Sequence, residues 1–158
     1  MDYLTYYLRN MIRKLVVSKE SLKSLIDYLY DVNEDFEIPL SEKTDIKSFA
    51  EKLLQFGNVI IIEELDKIIG CIGFYNNDSI NLKAYIPILS VKSNYSGNGY
   101  AKLLINETIN ECNKKGIKSI NVDSVNQIAI RLYKSFGFKT IKTMRTDTCN
   151  KEFLKLDL

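Results

Sequence analysis

Histidine is absent from the 158 residues of this chain. Its absence removes the commonest general base, every Ser-His or Cys-His nucleophile pair and most zinc sites. Cysteine is scarce. Cys71, Cys112 and Cys149 have no metal-ligand spacing and cannot all pair with one another, and the first two fall on expected core faces. No metal is expected, and a reduced, cytoplasmic compartment is. Long apolar runs are missing too: none approaches the roughly 18 residues that would span a membrane. The N-terminal stretch, with Asp2, three tyrosines and Arg9, lacks the charged-then-apolar pattern of a signal peptide. Nor is charge of one sign in excess. The 22 Lys and Arg against 20 Asp and Glu leave a net +2, with lysines dispersed among acids, which makes no case for nucleic acid. Linkers, repeats and low-complexity segments are also lacking. The expectation is one domain, residues 1–158, of ordinary globular composition.

What is present concentrates between Ile88 and Leu104. Ile86 to Val91 reads as a buried strand. Ser93, Asn94, Ser96, Gly97, Asn98 and Gly99 are turn residues, and Ala101, Leu104, Ile105, Thr108, Ile109 and Cys112 then share one helical face. A strand that feeds a Gly-rich turn opening a helix makes an anion site. The first N–H groups of the helix lack internal partners and its dipole is positive there. Phosphate is the usual guest. Taken alone, a Gly-x-Gly after a strand is more often a plain turn. The dinucleotide fingerprint fails because Lys102 stands where a third glycine belongs, and no Gly-Lys-Ser/Thr is present for a P-loop.

Taken in order, Leu4, Leu8, Met11, Ile12 and Leu15 have helical spacing, yet Ile12 to Val17 also reads as a short strand. Ser18 is a candidate N-cap for a helix carrying Leu22, Leu25, Ile26 and Leu29 to about residue 31. Asn33 to Leu40 reads as a loop, with Ile38 biased extended by Pro39. A second helix is expected from about 44 to 56, with Gly57 in the C-cap position. The period then changes to that of strands: Val59 to Ile62, Ile68 to Tyr75 and Leu82 to Val91, joined by turns at 65–67 and 76–79. After the helix of about 99–115, Ile117, Ile120 and Val122 form a strand parallel to its predecessor. Asn126 to Phe136 is a short helix stopped by Gly137. Phe138 to Met144 and Lys151 to Leu158 close the chain as an antiparallel pair. The fold class is α/β (α+β), with a mixed, mostly antiparallel sheet of about six to seven strands flanked by helices.

Two motifs in this order, Ser96-Gly97-Asn98-Gly99-Tyr100-Ala101 and Asn126…Ala129…Tyr133…Gly137-Phe138, resemble the signatures of the GCN5-related N-acetyltransferase (GNAT) superfamily. The first matches that family's Arg/Gln-x-x-Gly-x-Gly/Ala. The resemblance covers about residues 59 to 158 and is weaker before that. It implies the GNAT fold and transfer of acetyl from acetyl-CoA to a primary amine, on a small molecule or a peptide, by a monomer or homodimer. It also implies site residues. The pyrophosphate of CoA would lie on the backbone amides of Ser96, Gly97, Asn98, Gly99, Tyr100 and Ala101. The pantetheine arm would run beside Leu89, Ser90 and Val91 where the fourth and fifth strands splay. A backbone N–H near Val91 would donate to the acetyl carbonyl, Asn126 would bond the cofactor arm, and Tyr133 would protonate the departing thiolate.

The chain departs from that pattern twice. Ser96 replaces the usual Arg or Gln, which implies weaker cofactor binding. The fourth strand, Lys83 to Val91, holds no acid, so the general base is open among Glu34, Asp35, Glu37, Asp78, Asp123 and a water relay. Glu34, Phe36 and Glu37, with Tyr75 and Asn76, are the candidates for the acceptor pocket. A non-catalytic acyl-CoA-binding module is the alternative that these departures permit, and a fold kept without its cofactor is a third.

Overall fold

The computed structural model describes residues 2, 3 and 11–158. Its sheet has seven strands in the order β1-β2-β3-β4-β5-β7-β6: β1 Ile12–Lys14, β2 Asn58–Glu64, β3 Lys67–Tyr75, β4 Lys83–Val91, β5 Ser119–Ser124, β6 Lys139–Arg145 and β7 Asn150–Asp157. All neighbours are antiparallel except β4 and β5. The helices are α1 Lys19–Asp31, α2 Leu40–Lys43, α3 Ile46–Phe56, α4 Tyr100–Lys114 and α5 Gln127–Ser135. The crossover through α4 is what allows β4 and β5 to run parallel.

Local chemistry sets the boundaries. Ser18 Oγ accepts from the Ser21 amide at 3.0 Å and starts α1 as expected. Asp45 does the same for α3, accepting from the Ser48 amide at 2.8 Å. Of the two readings of the N-terminal stretch, the strand is right for Ile12–Lys14, while Leu4 and Leu8 lie outside the described residues. The stretch read as a loop is more ordered than expected. Asn33–Asp35 is a 3-10 turn and Leu40–Lys43 a turn of helix. The buried Asn33 side chain accepts from the Ser41 amide at 2.9 Å and donates to Ser41 Oγ at 3.0 Å. Gly57 ends α3, but not in the left-handed conformation usual for such a cap: its φ is −115°. Glycine is required there because a Cβ would lie 2.9 Å from both the Leu53 and Phe74 carbonyl oxygens.

The sheet separates two cores. Leu25, Leu29, Ile46 and Leu53 from α1 and α3 meet Val59, Ile61 and Cys71 on one face. Leu104, Ile105 and Cys112 from α4 and Ile130 and Tyr133 from α5 meet Ile60, Ile72, Ile86, Ile120 and Val122 on the other. Each fully buried Leu or Ile contributes about 1.5–3 kcal/mol, offset by lost conformational entropy.

One strand changes sides partway along. Ala84 and Ile86 of β4 belong to the α4/α5 core, whereas Ile88 belongs to the α1/α3 core. Between them the register with β3 slips, from Tyr75↔Tyr85 to Gly73↔Ile88. Pro87 sits in the slip. Proline has no N–H for a ladder and is tolerated at such bulges, and one extra residue turns every later side chain to the opposite face. Beyond Pro87, Leu89 and Val91 therefore take the α4/α5 side.

Candidate active site

The same residue marks a break in the seam between β4 and β5. Their pairs run Lys83↔Ser119, Ala84↔Ile120, Tyr85↔Asn121 and Ile86↔Val122, and stop. β4 nevertheless continues to Val91, still paired with β3, and β5 continues to Ser124, still paired with β7. The two strands thus part like a V. The Lys92 amide donates to the Ile69 carbonyl of β3 at 2.8 Å. Alternation along an antiparallel ladder then turns the amides of Leu89 and Val91 toward the gap. Buried backbone donors need partners, and a guest strand of amides laid in the gap would supply them.

At the open end of the V the chain makes a 3-10 turn, Ser93–Tyr95, and enters α4 through Gly97 and Gly99, at φ +80° and +81°. A Cβ at either glycine would meet nothing within 4 Å. These glycines therefore serve backbone conformation and access, not packing. Gly99 is the N-cap, and no side chain caps α4. The neighbouring polar side chains turn inward: Ser96 Oγ donates to the Ser93 carbonyl at 2.8 Å and Asn98 Nδ2 to the Tyr95 carbonyl at 2.9 Å. The Ser96 amide donates to the Ser93 carbonyl at 3.3 Å, whereas the amides from Gly97 to Ala101 have no hydrogen-bond partner among the described residues. No acid occurs between Asp78 and Glu107, so nothing in the loop opposes an anion.

On the other wall, α5 lies along β5. Asn126 is its N-cap, accepting from the Ala129 amide at 3.0 Å through Oδ1. This is a structural duty that the sequence reading did not assign, and it leaves both Nδ2 hydrogens for a guest. Tyr133 is buried at 3% exposure. The end of α5 holds it: the Phe138 amide donates to the Tyr133 carbonyl at 3.2 Å and the Gly137 amide to Lys134 at 3.0 Å, around a left-handed Gly137. The Phe138 ring closes on Tyr133 at a centroid distance of 5.3 Å. Burial raises the Tyr133 phenol pKa well above its ordinary value, and Tyr85 and Asp123 raise it further. The phenol is therefore a proton donor at neutral pH, and it makes no hydrogen bond among the described residues.

Ser90 is not a wall of the gap. Its side chain faces the α1/α3 core, where the Tyr28 hydroxyl bonds both its Oγ and its carbonyl at 3.1 Å. That contact and the Asp31–Lys92 ion pair at 3.5 Å dock the end of α1 on the last residues of β4. Tyr28 was not a sequence candidate, since its partner lies 62 positions away. The segment that follows α1 carries Glu34 and Glu37, both exposed, and Phe36, half-buried against the α1/α3 core. Tyr75 lies at the closed end of the seam, paired with Tyr85. Asn76 does not line a pocket. It is buried, and its Oδ1 accepts from Asn58 Nδ2 at 2.9 Å and Lys115 Nζ at 3.3 Å. It ties the start of β2 to the far end of α4.

Of the candidate bases, Asp78 caps its own turn, accepting from the Asn81 amide at 2.8 Å. Asp123 is the first β5 residue past the last β4 pair, and the Tyr85 hydroxyl donates to it at 2.8 Å.

A split between two parallel strands, a glycine-entered helix beside it and a buried phenol opposite define an acyl-CoA-dependent transferase fold. Residues 25–138 match the Acetyltransferase (GNAT) family profile, and the chain belongs to that family. N-alpha-acetyltransferase 30 of Saccharomyces cerevisiae is 32% identical over 68 residues, which are 42% of this chain and 39% of that protein. Among solved structures, a GCN5-related N-acetyltransferase from Kribbella flavida superposes with a TM-score of 0.75 at 14% identity, covering 95% of this chain and 99% of that one. The ribosomal-protein-S18-alanine N-acetyltransferase of Escherichia coli gives 0.73 at 18%, covering 93% and 94%. A chain of the NatC complex bound to Gag peptide and CoA gives 0.72 at 23%, covering 93% and 98%. At these identities the structures establish the shared fold.

Proposed function

We propose that the chain moves the acetyl group of acetyl-CoA to a primary amine by direct attack. The observation that carries this reading is the seam that opens beyond Ile86 beside an uncapped helix N-terminus. The residues fit the donor. The amides from Gly97 to Ala101 cradle its phosphates, the Ser96 amide being taken by the Ser93 carbonyl, and those of Leu89 and Val91 bond its pantetheine amides. Asn126 Nδ2 adds a donor from α5. Bound there, acetyl-CoA supplies a thioester, an acyl group on a good leaving atom.

The chain's own groups do the rest. The Val91 amide donates to the thioester carbonyl and stabilises the charge that grows on its oxygen. Tyr133 gives its proton to the sulfur as the C–S bond breaks. The likeness to an N-alpha-acetyltransferase and to a peptide-bound complex supports a peptide α-amine over a small amine, with Glu34, Phe36 and Glu37 on the approach to it.

Thermal unfolding with acetyl-CoA from micromolar to millimolar tests the donor site, since a ligand of the folded state alone must raise Tm with concentration. A rise licenses screening peptides and small amines for thiol release. Binding without turnover on any amine would favour the acyl-CoA-binding module, and no rise would remove both readings.

A further inference from the structure

The geometry points to a receptor for the acceptor's ammonium group on the face of β5 opposite α5, in which Asp123 binds that group and takes its proton, flanked by Tyr85 and Asn121. It rests on the proposed acetyl transfer, and it places the general base that β4 lacks.

Four observations converge on it. Asp123 stands where the seam opens, one residue past Ile86↔Val122. Its two carboxylate oxygens are held differently: Oδ1 accepts from the Tyr85 hydroxyl at 2.8 Å, and Oδ2 meets Lys151 Nζ at 2.8 Å. Asn121 lies two residues back on the same face, directly across from Tyr85 in register. Its Oδ1 is buried with no hydrogen-bond partner among the described residues. A buried carbonyl oxygen without a donor costs stability, and an ammonium group, with three N–H donors and no acceptor, satisfies it.

Lys151 shows what the carboxylate takes: a primary alkylammonium. Its side chain is 39% exposed against 18% for Asp123, so it can leave for solvent while Asp123 stays. In that same position its Nζ also lies 5.4 Å from the centre of the Phe153 ring. An acceptor ammonium that replaces Lys151 takes its place on Asp123 Oδ2, on the strand face that also carries the unpartnered Asn121 Oδ1. Other charged groups on this face are Lys142, also over Phe153, Lys155, opposite Asn121 in β7 and paired with Asp157 at 3.3 Å, and Lys83, two residues before Tyr85 in β4.

The protons balance. One passes from the ammonium to Asp123 and then to solvent, leaving a neutral amine. The nitrogen lone pair forms the C–N bond, the C–S electron pair stays on sulfur, and Tyr133 protonates that sulfur. The nitrogen's second departing proton restores the Tyr133 phenol. Amide and free thiol are the products, with one proton released.

The test uses the full chain and n-butylammonium chloride as probe, followed through the Tyr85 ring resonances by NMR, assigned with Tyr85→Phe. Saturable shifts are expected. Asp123→Asn should weaken the probe about tenfold or more, the scale of a lost charge-assisted contact. Lys151→Gln should tighten it about threefold, by removing the internal competitor. Acetyl-CoA affinity is measured on the same proteins and should not change. Unsaturable shifts in the wild type, or equal probe affinity in Asp123→Asn, overturn the receptor. Retained kcat/KM for butylamine in Asp123→Asn overturns its role as base, for which a loss of about 100-fold or more is expected. Failure of the wild type to bind acetyl-CoA strikes the transferase reading instead and leaves the NMR result to decide the receptor.

Discussion

The two ends of the β4–β5 seam are built from the same strands yet do opposite things. At the closed end four residue pairs zip the strands together, and Ala84, Ile86, Ile120 and Val122 lock them against α4 and α5. At the open end the strands keep their outer partners and lose each other. The difference is one residue: Pro87 turns β4 over, so Ile88 packs on α1 and α3 while Leu89 and Val91 keep the α4/α5 side. The stable half of the seam is a packing problem solved with Ile and Val. The other half leaves polar backbone exposed inside a fold, a state that persists only where something else comes to satisfy it.

If the open end is a cofactor groove, its mouth is where binding is most easily destroyed. Gly99→Asp should cause the largest change. The position has φ +81°, and left-handed backbone costs a residue with a Cβ about 1–2 kcal/mol. Its carboxylate can also cap the free amides of α4 from within and sets a negative charge where the phosphates lie. Acetyl-CoA affinity should fall about 100-fold, near 2.7 kcal/mol, with the fold retained by circular dichroism. Unchanged affinity by calorimetry would separate the glycine loop from the groove.

Tyr133→Phe probes the wall instead of the mouth. The hydroxyl has no hydrogen-bond partner among the described residues and the ring is gripped by Phe138, so stability should barely move. The rate kcat should drop about tenfold or more, with acetyl-CoA affinity intact, because the interaction is made only as the thiolate leaves. Equal kcat would reduce Tyr133 to a core aromatic.

Gly73→Ala tests the junction between the two ends. A Cβ there collides with Leu53 of α3 and comes within 3.0 Å of Ile88 Cγ2, just past the bulge. Overpacking of this kind costs about 1–3 kcal/mol. The melting temperature should fall by about 2–4 °C per kcal/mol for a chain of this size. A drop confined to stability, with acetyl-CoA binding normal in the folded fraction, would show that the open end does not depend on perfect closure below it.

The sequence showed the parts whose signals are local. Ser18, the glycine turn, the helix faces and Gly137 are each read within a few residues, and the strand-loop-helix order follows from them. The junctions were not legible, because their partners are distant in the chain. Nothing near Tyr28 points to Ser90, and nothing near Asp123 points to Tyr85 or Lys151. Asn76 is a pocket candidate in sequence because it stands at the end of the second hairpin strand, but the fold brings Asn58 and Lys115 to it and buries it. Gly57 was legible as the C-cap of its helix, but the two carbonyl oxygens that demand a glycine there were not, one of them Phe74's on a neighbouring strand. Pro87 was visible, but its consequence depends on β3 keeping register beside it.

Ser96→Arg should give the smallest effect, and its size distinguishes two kinds of phosphate site. The family pattern that the loop resembles carries Arg or Gln here. Ser96 instead bonds back to Ser93 and leaves the amides of the loop to do the binding. If the backbone cradle and the helix dipole carry the affinity, an exposed guanidinium adds only a screened contact, about 0.2–1 kcal/mol. Acetyl-CoA should then bind about two- to fivefold tighter at low salt, and the gain should shrink as ionic strength shortens the Debye length. A gain that is large and survives high salt would mean that the open end of the seam was lacking its principal anchor. A small, salt-sensitive gain would mean that glycine and an uncapped helix suffice.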